Sequence, residues 1–174
     1  RFPETQIIIE EVLKISRQSS LLLDKKVLIT AGGTREAIDP VRYIGNRSSG
    51  RQGLAVAYES LRQGAEVTVI AGQTISFQLD GARVISVESA DEMFAALKAE
   101  MPDHDALVMS AAVADAKPAS FSDEKIKKTA LNSIALETNP DLLASISKTR
   151  RANQVLVGFA AETYVNFEEL GVAK

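Results

Sequence analysis

Short apolar runs alternate along the chain with longer segments whose apolar residues recur at helical spacing. We predict that the short runs are strands, because they are rich in β-branched residues and are bounded by charges or glycine. The predicted strands lie at 26–31, 66–71, 82–87, 106–112 and 154–159, and the predicted helices at 5–19, 49–63, 90–100 and 140–147. This alternation indicates an α/β protein with a Rossmann-like, doubly wound, mostly parallel sheet and helices on both faces.

The remaining segments have weaker patterns. Residues 33–50 and 113–128 are polar, and we predict long loops without regular structure there, a kind of segment that is usually functional in a compact domain. A further strand is predicted at 133–137. The helix at 90–100 is expected to begin with Ser89 as its cap, followed by Glu92, and the helix at 140–147 with Asn139 as its cap.

Composition excludes several kinds of chemistry. The chain has 20 Lys and Arg against 23 Asp and Glu, a net charge of −3, so we expect neither a nucleic-acid partner nor a membrane partner. There is no cysteine, and the single histidine, His104, is predicted to be a surface or capping residue, so thiolate metal sites and a serine–histidine triad are excluded. We expect no signal segment and a cytoplasmic location. Chemistry must therefore use carboxylates, amides, lysines or the backbone.

Ligands of open parallel sheets bind beyond the carboxyl ends of the strands. After the first predicted strand, Gly32 and Gly33 lack the G-x-G-x-x-G spacing of a dinucleotide site and are equally well explained as a tight turn. The sequence NRSSG at 46–50 precedes a helix whose free amides favour an anion, although serines there also act as caps. Arg47 favours the anion, and the amide of Asn46 can donate to an oxygen and accept from an amine.

Two later segments carry further candidates. Small residues at 110–114 permit a ligand to approach the backbone closely, and Asp115 follows them. Lys125, Lys127 and Lys128 form a cluster whose charge density suits a triphosphate, but such a cluster is also typical of a solvated surface. These residues alone leave several classes of protein open, among them an NAD(P)-dependent Rossmann-type oxidoreductase and a non-catalytic nucleotide-sensing or scaffold domain.

Taken in order, the motifs resemble one family, the phosphopantothenoylcysteine synthetase (phosphopantothenate–cysteine ligase) domain of coenzyme A biosynthesis. The matching stretches are KKVLITAGGTREAIDPVRYIGNRSSG at 25–50, SAAVAD at 110–115, EKIKK at 124–128, NPDLL at 139–143 and GFAAET at 158–163. The resemblance implies a ligase domain at 25–174 that is C-terminally incomplete. It also implies that residues 1–24 are a linker helix following an N-terminal decarboxylase domain.

The resemblance further implies the substrates and the reaction. 4'-Phosphopantothenate and CTP would form an acyl-cytidylate, which the amine of cysteine then attacks. Mg²⁺ would accompany CTP rather than bind to ligands from this chain, and FMN would belong only to the fused decarboxylase domain. The family resemblance also predicts a homodimer.

The resemblance assigns roles to individual residues. Lys125 would neutralise the triphosphate during nucleotidyl transfer, and Asn46 would hold the reacting acyl group. Asn46 and Arg47 would bind the substrate. The residues expected to bind the nucleotide are Met109, Ser110, Ala111, Asp115, Lys125, Pro140, Asp141, Leu142, Leu143 and Phe159.

Overall fold

Five parallel strands form the central sheet of the computed structural model, which describes residues 4–16, 21–74 and 79–160. They are β1 (Lys26–Ala31), β4 (Glu66–Ala71), β5 (Ala82–Ser86), β6 (Ala106–Met109) and β9 (Val155–Gly158), in the spatial order β5-β4-β1-β6-β9. In the centre Ile29 of β1 lies between Val69 of β4 and Val108 of β6. The doubly wound α/β fold predicted from the sequence is confirmed.

Helices cover both faces of this sheet. They are α2 (Arg51–Arg62), α3 (Ala90–Glu100) and α4 (Leu142–Ser147), whereas the described side chains of α1 (Thr5–Ser16) are exposed. On one face Ala57 of α2 packs with Val27, Ile29, Val67 and Val69. On the opposite face α3 and α4 pack on the other side chains of the same strands, in a cluster with Leu28, Ile70, Met93, Leu97, Leu107, Leu142 and Ile146. Five consecutive buried residues in β1 and in β4 follow from this two-sided covering.

Close packing of α2 on the sheet depends on a small residue. A Cβ atom at Gly53 would lie 2.8 Å from the Cβ of Ala31 and from the carbonyl oxygen of Thr30. The glycine therefore allows the start of α2 to approach the end of β1. No helix in the described ranges is both long and apolar enough to cross a membrane.

The two predicted loops contain short antiparallel ribbons, which corrects the prediction that they lack regular structure. β2 (Arg35–Ala37) pairs with β3 (Tyr43–Gly45), and β7 (Ala116–Pro118) pairs with β8 (Leu136–Thr138). The strand predicted at 133–137 is thus shifted, and it belongs to a ribbon outside the central sheet. Strands of three residues are too short to show a period of two in hydropathy, and the inward residue of β2 is the charged Glu36, so neither pattern was visible.

The cap of α4 and the environment of His104 also differ from the predictions. Asp141, not Asn139, caps α4, because its Oδ1 accepts a hydrogen bond from the amide of Ala144 at 2.8 Å. Ser89 caps α3 as predicted. His104 is buried rather than on the surface, but its predicted capping role is confirmed: it is the C-cap of the short helix Met101–Asp103, and its Nδ1 lies 2.7 Å from the carbonyl oxygen of Glu100 at the end of α3. Of the first predicted helix, residues 5–16 are helical, and 17–19 lie outside the described residues.

Candidate functional site

Hydrogen bonds join the loops that follow β1, β4 and β6 at the carboxyl edge of the sheet. Gly33 donates to the carbonyl oxygen of Gln73 and accepts from the amide of Gln73, at 3.0 and 2.8 Å. Ala112 donates to the carbonyl oxygen of Gly32 at 2.8 Å. Gly32 has a φ of +85°, and a Cβ there would lie 2.4 Å from the oxygen of Gln73. Gly32 therefore allows a tight turn directly after β1, one of the two explanations that the sequence allowed, whereas Gly33 lies in bridges to Gln73 and Ala112.

The first turn of α2 lies beside this turn. Gly50 is its N-cap, has a φ of +73°, and makes no side-chain capping bond in the described structure. Ser48 accepts from the amide of Gly50 at 3.3 Å, and Ser49 accepts from Arg51 at 3.5 Å. Bonds of that length are weak, so the serines do not cap the helix strongly. The weak bonds do not favour the capping explanation, and an anion at this helix start stays a prediction.

Asn46 connects this region to the loop after β6. Its Nδ2 donates to the carbonyl oxygen of Val113 at 2.9 Å, while the residue as a whole is exposed. Arg47 beside it is also exposed. One amide hydrogen of Asn46 is thus committed to orienting the carboxamide, and the group stands at the solvent side of the loop.

Two buried threonines hold the loop after β6, and sequence analysis missed both. Thr30 accepts from the amide of Ala111 through Oγ1 at 3.1 Å, and Thr34 accepts from the amide of Ala114 at 2.9 Å. Both residues are buried, at 0% and 1% exposure. A threonine near the end of an otherwise apolar strand was the available signal. These bonds fix the backbone between Met109, the last residue of β6, and Asp115.

The segment 139–143 lies on that fixed loop. Asn139 donates through Nδ2 to the carbonyl oxygen of Ala114 and through its main-chain amide to that of Asp115, both at 2.9 Å. The structure thus brings the predicted residues at 110–115 and at 139–143 together. Leu142 is part of the core at 3% exposure, and the Asp141 carboxylate caps α4. Leu143 approaches Gly158, where an added Cβ would lie 2.4 Å from Leu143 Cδ2.

Two polar atoms on this edge have no hydrogen-bond partner among the described residues. They are Oγ of Ser110 and Oδ1 of Asn139, and both are buried. An unsatisfied buried polar atom costs about 1–3 kcal/mol. Such atoms are suited to accept or donate a bond when a ligand covers the edge. Phe159 lies just after β9 and is 52% exposed, so its ring is accessible at the same end of the sheet.

Lys125 is exposed, and within the part of the chain that the structure describes no hydrogen bond or ion pair joins it to the residues above. Its neighbour Ile126 is instead held by Asp39 and Arg42, which sequence analysis also missed. Asp39 accepts through Oδ2 from the amide of Ile126 at 3.1 Å and from Nε of Arg42 at 3.0 Å. Arg42 Nη2 donates to the carbonyl oxygen of Ile126 at 2.9 Å and also contacts Asp39. The signal was the D-P-x-R sequence at 39–42, a turn in which an aspartate bonds its own backbone.

Two ion pairs beside these loops shift pKa values of charged side chains. The Arg42 guanidinium beside Asp39 holds the pKa of that carboxyl well below its usual range, and the amides of Val41, Ile126 and Arg42 act in the same direction. Asp91, 2.6 Å from the Lys117 ammonium, raises the pKa of Lys117. No cluster of three or more His, Asp or Glu side chains that could hold a metal ion occurs within 4–16, 21–74 and 79–160.

A separate cavity of about 500 Å³ lies at the ends of β4 and β5. Arg35, Thr74, Ser86, Glu88 and Glu92 are among its lining residues. None of the site residues predicted from the sequence lines it.

The fold and this edge define a Rossmann-like α/β domain whose candidate site is built from loop backbone, amides and hydroxyls at the carboxyl ends of parallel strands. Within that class, the chain belongs to the family of DNA/pantothenate metabolism flavoprotein C-terminal domains, whose model matches residues 22–174. This confirms the resemblance that the sequence motifs indicated. The division of the chain at residue 24 stays a prediction.

Curated proteins with similar sequences support this family assignment. The coenzyme A biosynthesis bifunctional protein CoaBC of Vibrio vulnificus (strain YJ016) is 46% identical over 149 residues, which is 84% of this chain and 37% of that protein. CoaBC of Mycobacterium bovis is 45% identical over 175 residues, which is 94% of this chain and 42% of that protein. The chain thus spans about two fifths of the length of these curated relatives.

Solved structures share the fold. The crystal structure of the C-terminal domain of CoaBC superposes with a TM-score of 0.79 at 38% identity, covering 90% of this chain and 74% of that one. A Cab2 mutant in complex with phosphopantothenate-cysteine has a TM-score of 0.72 at 19% identity, covering 99% and 77%. At that identity the second comparison shows the fold alone.

Proposed function

We propose that this chain is a ligase domain that joins 4'-phosphopantothenate to cysteine in coenzyme A biosynthesis, through an acyl-cytidylate formed from CTP. The observation that carries the proposal is the meeting of three family motifs at one edge, through the bonds from Asn46 to Val113 and from Asn139 to Ala114. CoaBC relatives are coenzyme A biosynthesis proteins, and the fold neighbour Cab2 was solved with phosphopantothenate-cysteine.

The reaction has two steps. The substrate carboxylate attacks the α-phosphorus of CTP, a new oxygen–phosphorus bond forms, and pyrophosphate leaves. The amine of cysteine then attacks the acyl carbon, CMP leaves with the electron pair of the broken carbon–oxygen bond, and the amine loses a proton. Neither step needs a cysteine or histidine nucleophile on the protein, which suits a chain with no cysteine and one buried histidine.

Positioning and charge stabilisation are the tasks left to the protein. Lys125 neutralises the charge that develops on the phosphoryl oxygens, an effect worth roughly 3–4 kcal/mol for a well-placed donor. Asn46, oriented by Val113, holds the acyl group where the amine can reach it. Arg47 and the amides at the start of α2 favour the anionic groups of the substrate.

The nucleotide lies against the loop after β6 and against 139–143 in this proposal. Met109, Ser110, Ala111 and Asp115 offer backbone groups there, and Ser110 adds a buried hydroxyl without a partner in the described structure. Because Leu142 is in the core and the Asp141 carboxylate caps α4, the contacts from Pro140, Asp141, Leu142 and Leu143 come chiefly from their main chain. Phe159 packs against the nucleoside.

Magnesium accompanies CTP, since Mg²⁺ in nucleotide sites takes most of its ligands from phosphate oxygens and water. Bound there, it would offset charge on the triphosphate. The proposal also includes a homodimer, a cytoplasmic location and no nucleic-acid partner. An FMN-dependent decarboxylase domain would lie on the same polypeptide.

Pyrophosphate release tests the proposal in the intact protein. Release is expected to require both CTP and 4'-phosphopantothenate, and amide product to require cysteine in addition. Lys125→Gln is expected to lower release by roughly two to three orders of magnitude with an unchanged circular dichroism spectrum, whereas Lys148→Gln, another exposed lysine, leaves it near the wild-type rate. Hydride transfer with NAD(P) and no phosphopantothenate-dependent release would contradict the proposal.

A further inference from the structure

The main-chain amide and the main-chain carbonyl oxygen of Ile126 both form hydrogen bonds to side chains of the turn at 39–42, which is distant in the sequence. The amide donates to Asp39 Oδ2 at 3.1 Å, and the carbonyl oxygen accepts from Arg42 Nη2 at 2.9 Å. The same Asp39 oxygen accepts from Arg42 Nε at 3.0 Å. Residue 126 is thus fixed by a closed ring of bonds to two charged side chains, which we call the Asp39–Arg42 clamp.

The clamp is itself rigidly held. The Asp39 side chain is 0% exposed, and its second oxygen accepts from the amides of Val41 and Arg42, each at 2.9 Å. A further bond, from the amide of Ser122 to the carbonyl oxygen of Ile38 at 3.1 Å, ties the two segments together four residues upstream of Ile126. Hydrogen bonds to charged groups are stronger than those between neutral groups, so the clamp holds Ile126 more firmly than an ordinary loop contact would.

Lys125 directly precedes Ile126, the residue that the clamp holds. Its side chain is long and exposed, so its own packing does not fix where the ammonium stands. The Cα atom of Lys125 lies about 3.8 Å from that of Ile126, so holding Ile126 limits the region that the ammonium can reach. Such an anchor reduces the conformational entropy that the lysine loses when its ammonium contacts a triphosphate.

We propose that Asp39 and Arg42 are positioning residues for Lys125, acting through the main chain of Ile126 rather than by touching the nucleotide. The inference rests on the proposed function for its catalytic purpose. The anchoring itself can be tested without any substrate.

The first experiment measures the anchor. Asp39→Asn removes the charge that holds Arg42 and the Ile126 amide, so hydrogen exchange at that amide should be at least about tenfold faster, and trypsin should cleave the Lys125–Ile126 bond faster. Cleavage after Lys98, within α3, is the internal reference for global unfolding. Asp123→Asn, an exposed carboxylate on the same segment, should change neither. Unchanged exchange and cleavage in Asp39→Asn would overturn the proposal.

The second experiment tests the route of action. Asp39→Asn should slow phosphopantothenate-dependent pyrophosphate release roughly 10²-fold, mostly in kcat, because positioning is lost. In a Lys125→Gln background the same change should cost less than about threefold, since the residue it positions is gone. Equal effects in both backgrounds would show that Asp39 acts independently of Lys125 and would overturn the positioning role.

A second variant tests the clamp if Asp39→Asn destabilises the whole protein. If trypsin cleaves Asp39→Asn faster at all sites, the experiment is repeated with Arg42→Lys. A lysine ammonium keeps the positive charge but cannot bridge Asp39 and Ile126 as the planar guanidinium does. The same selective cleavage at Lys125–Ile126 is expected, and its absence would overturn the clamp. If the wild-type protein releases no pyrophosphate, the proposed function and the catalytic purpose fail together, while exchange still decides whether the clamp exists.

Discussion

At the scale of single residues, hydroxyl and amide groups at the carboxyl edge divide into two kinds. Thr30 and Thr34 use their hydroxyl oxygens to hold the backbone at Ala111 and Ala114. Ser110 and Asn139 each keep a buried oxygen without a partner among the described residues. The first kind makes the loop rigid, and the second is suited to a ligand. A preorganised site needs both.

Asn46 belongs to the part of this edge that positions substrate. Asn46→Ala should slow the attack of cysteine on the acyl-cytidylate by roughly 10²-fold while slowing its formation much less, because positioning matters most where two bound reactants must meet. Single-turnover experiments with and without cysteine measure the two steps. Gln52→Ala, an exposed amide in the first turn of α2, is the matched control. Equal losses in both steps would show that Asn46 only shapes the loop.

Asp39 should make stability depend on pH. Its pKa in the folded protein is lowered, chiefly by Arg42, from a usual value of 3.8. The ionised folded state is therefore favoured, so the carboxylate's contribution is complete above pH 3.8 and is lost as the pH falls further, toward the lower folded-state pKa. Urea unfolding of the wild type and of Asp39→Asn should differ most at neutral pH, and the difference should be clearly smaller at about pH 2. A gap of the same size at both pH values would contradict this prediction.

At this scale the sequence predicted the positions of residues in the fold better than the hydrogen bonds that hold them there. Ser110 and Asp115 could be placed at the end of a strand because that strand was visible as an apolar run, and Asn46 could be placed directly before a helix. The D-P-x-R sequence indicated the turn at 39–42 but not its bonds to Ile126, because these join positions more than 80 residues apart and no local pattern predicts such a contact. The burial of Glu36, whose carboxylate accepts from the amide of Ala90 at 3.0 Å, is a similar case.

At the scale of elements, the central strands and long helices were predictable and the short ribbons were not. β1 and β4 match their predicted bounds because apolar side chains on both faces make a continuous run. The short strands are stabilised by pairing, β2 with β3 and β7 with β8. A strand of three residues is too short to show the alternation of apolar and polar residues that identifies a strand. The cap of α4 was misplaced for a related reason: both Asn139 and Asp141 are good caps, and only the turn geometry chooses between them.

The cap of α4 gives a test that separates fold from function. Asp141→Ala should lower the free energy of unfolding by about 1 kcal/mol, because the amide of Ala144 loses its acceptor. Asp141→Ser should keep most of that stability, since a serine oxygen also caps a helix. Denaturant unfolding of the three proteins measures the difference. If nucleotide affinity falls in Asp141→Ser while stability does not, the carboxylate has a role in binding beyond the cap.

At the scale of the whole molecule, the topology decides where the chemistry can lie. The order β5-β4-β1-β6-β9 places β1 in the centre, and the chain leaves β1 for β4 on one side and later crosses to β6 on the other. Such a switch opens a crevice at the carboxyl ends of the two strands. The loops after β1 and β6 meet there, joined by the bond from Ala112 to Gly32. The candidate site follows from this crossing, whereas its chemistry follows from the side chains.

Binding in that crevice should stabilise the whole domain. A ligand that binds only the folded state adds RT ln(1 + [L]/Kd), about 2.7 kcal/mol at a concentration of 100 Kd. For a domain of this size the melting temperature should rise by several degrees with CTP and magnesium. NAD at the same concentration should leave it unchanged, because the glycine turn at 32–33 lacks the dinucleotide spacing. Lys125→Gln should reduce the CTP shift, and Lys148→Gln should not. Stabilisation by NAD without a response to CTP would instead favour an oxidoreductase, since the ligand that stabilises the fold reports which nucleotide the crevice recognises.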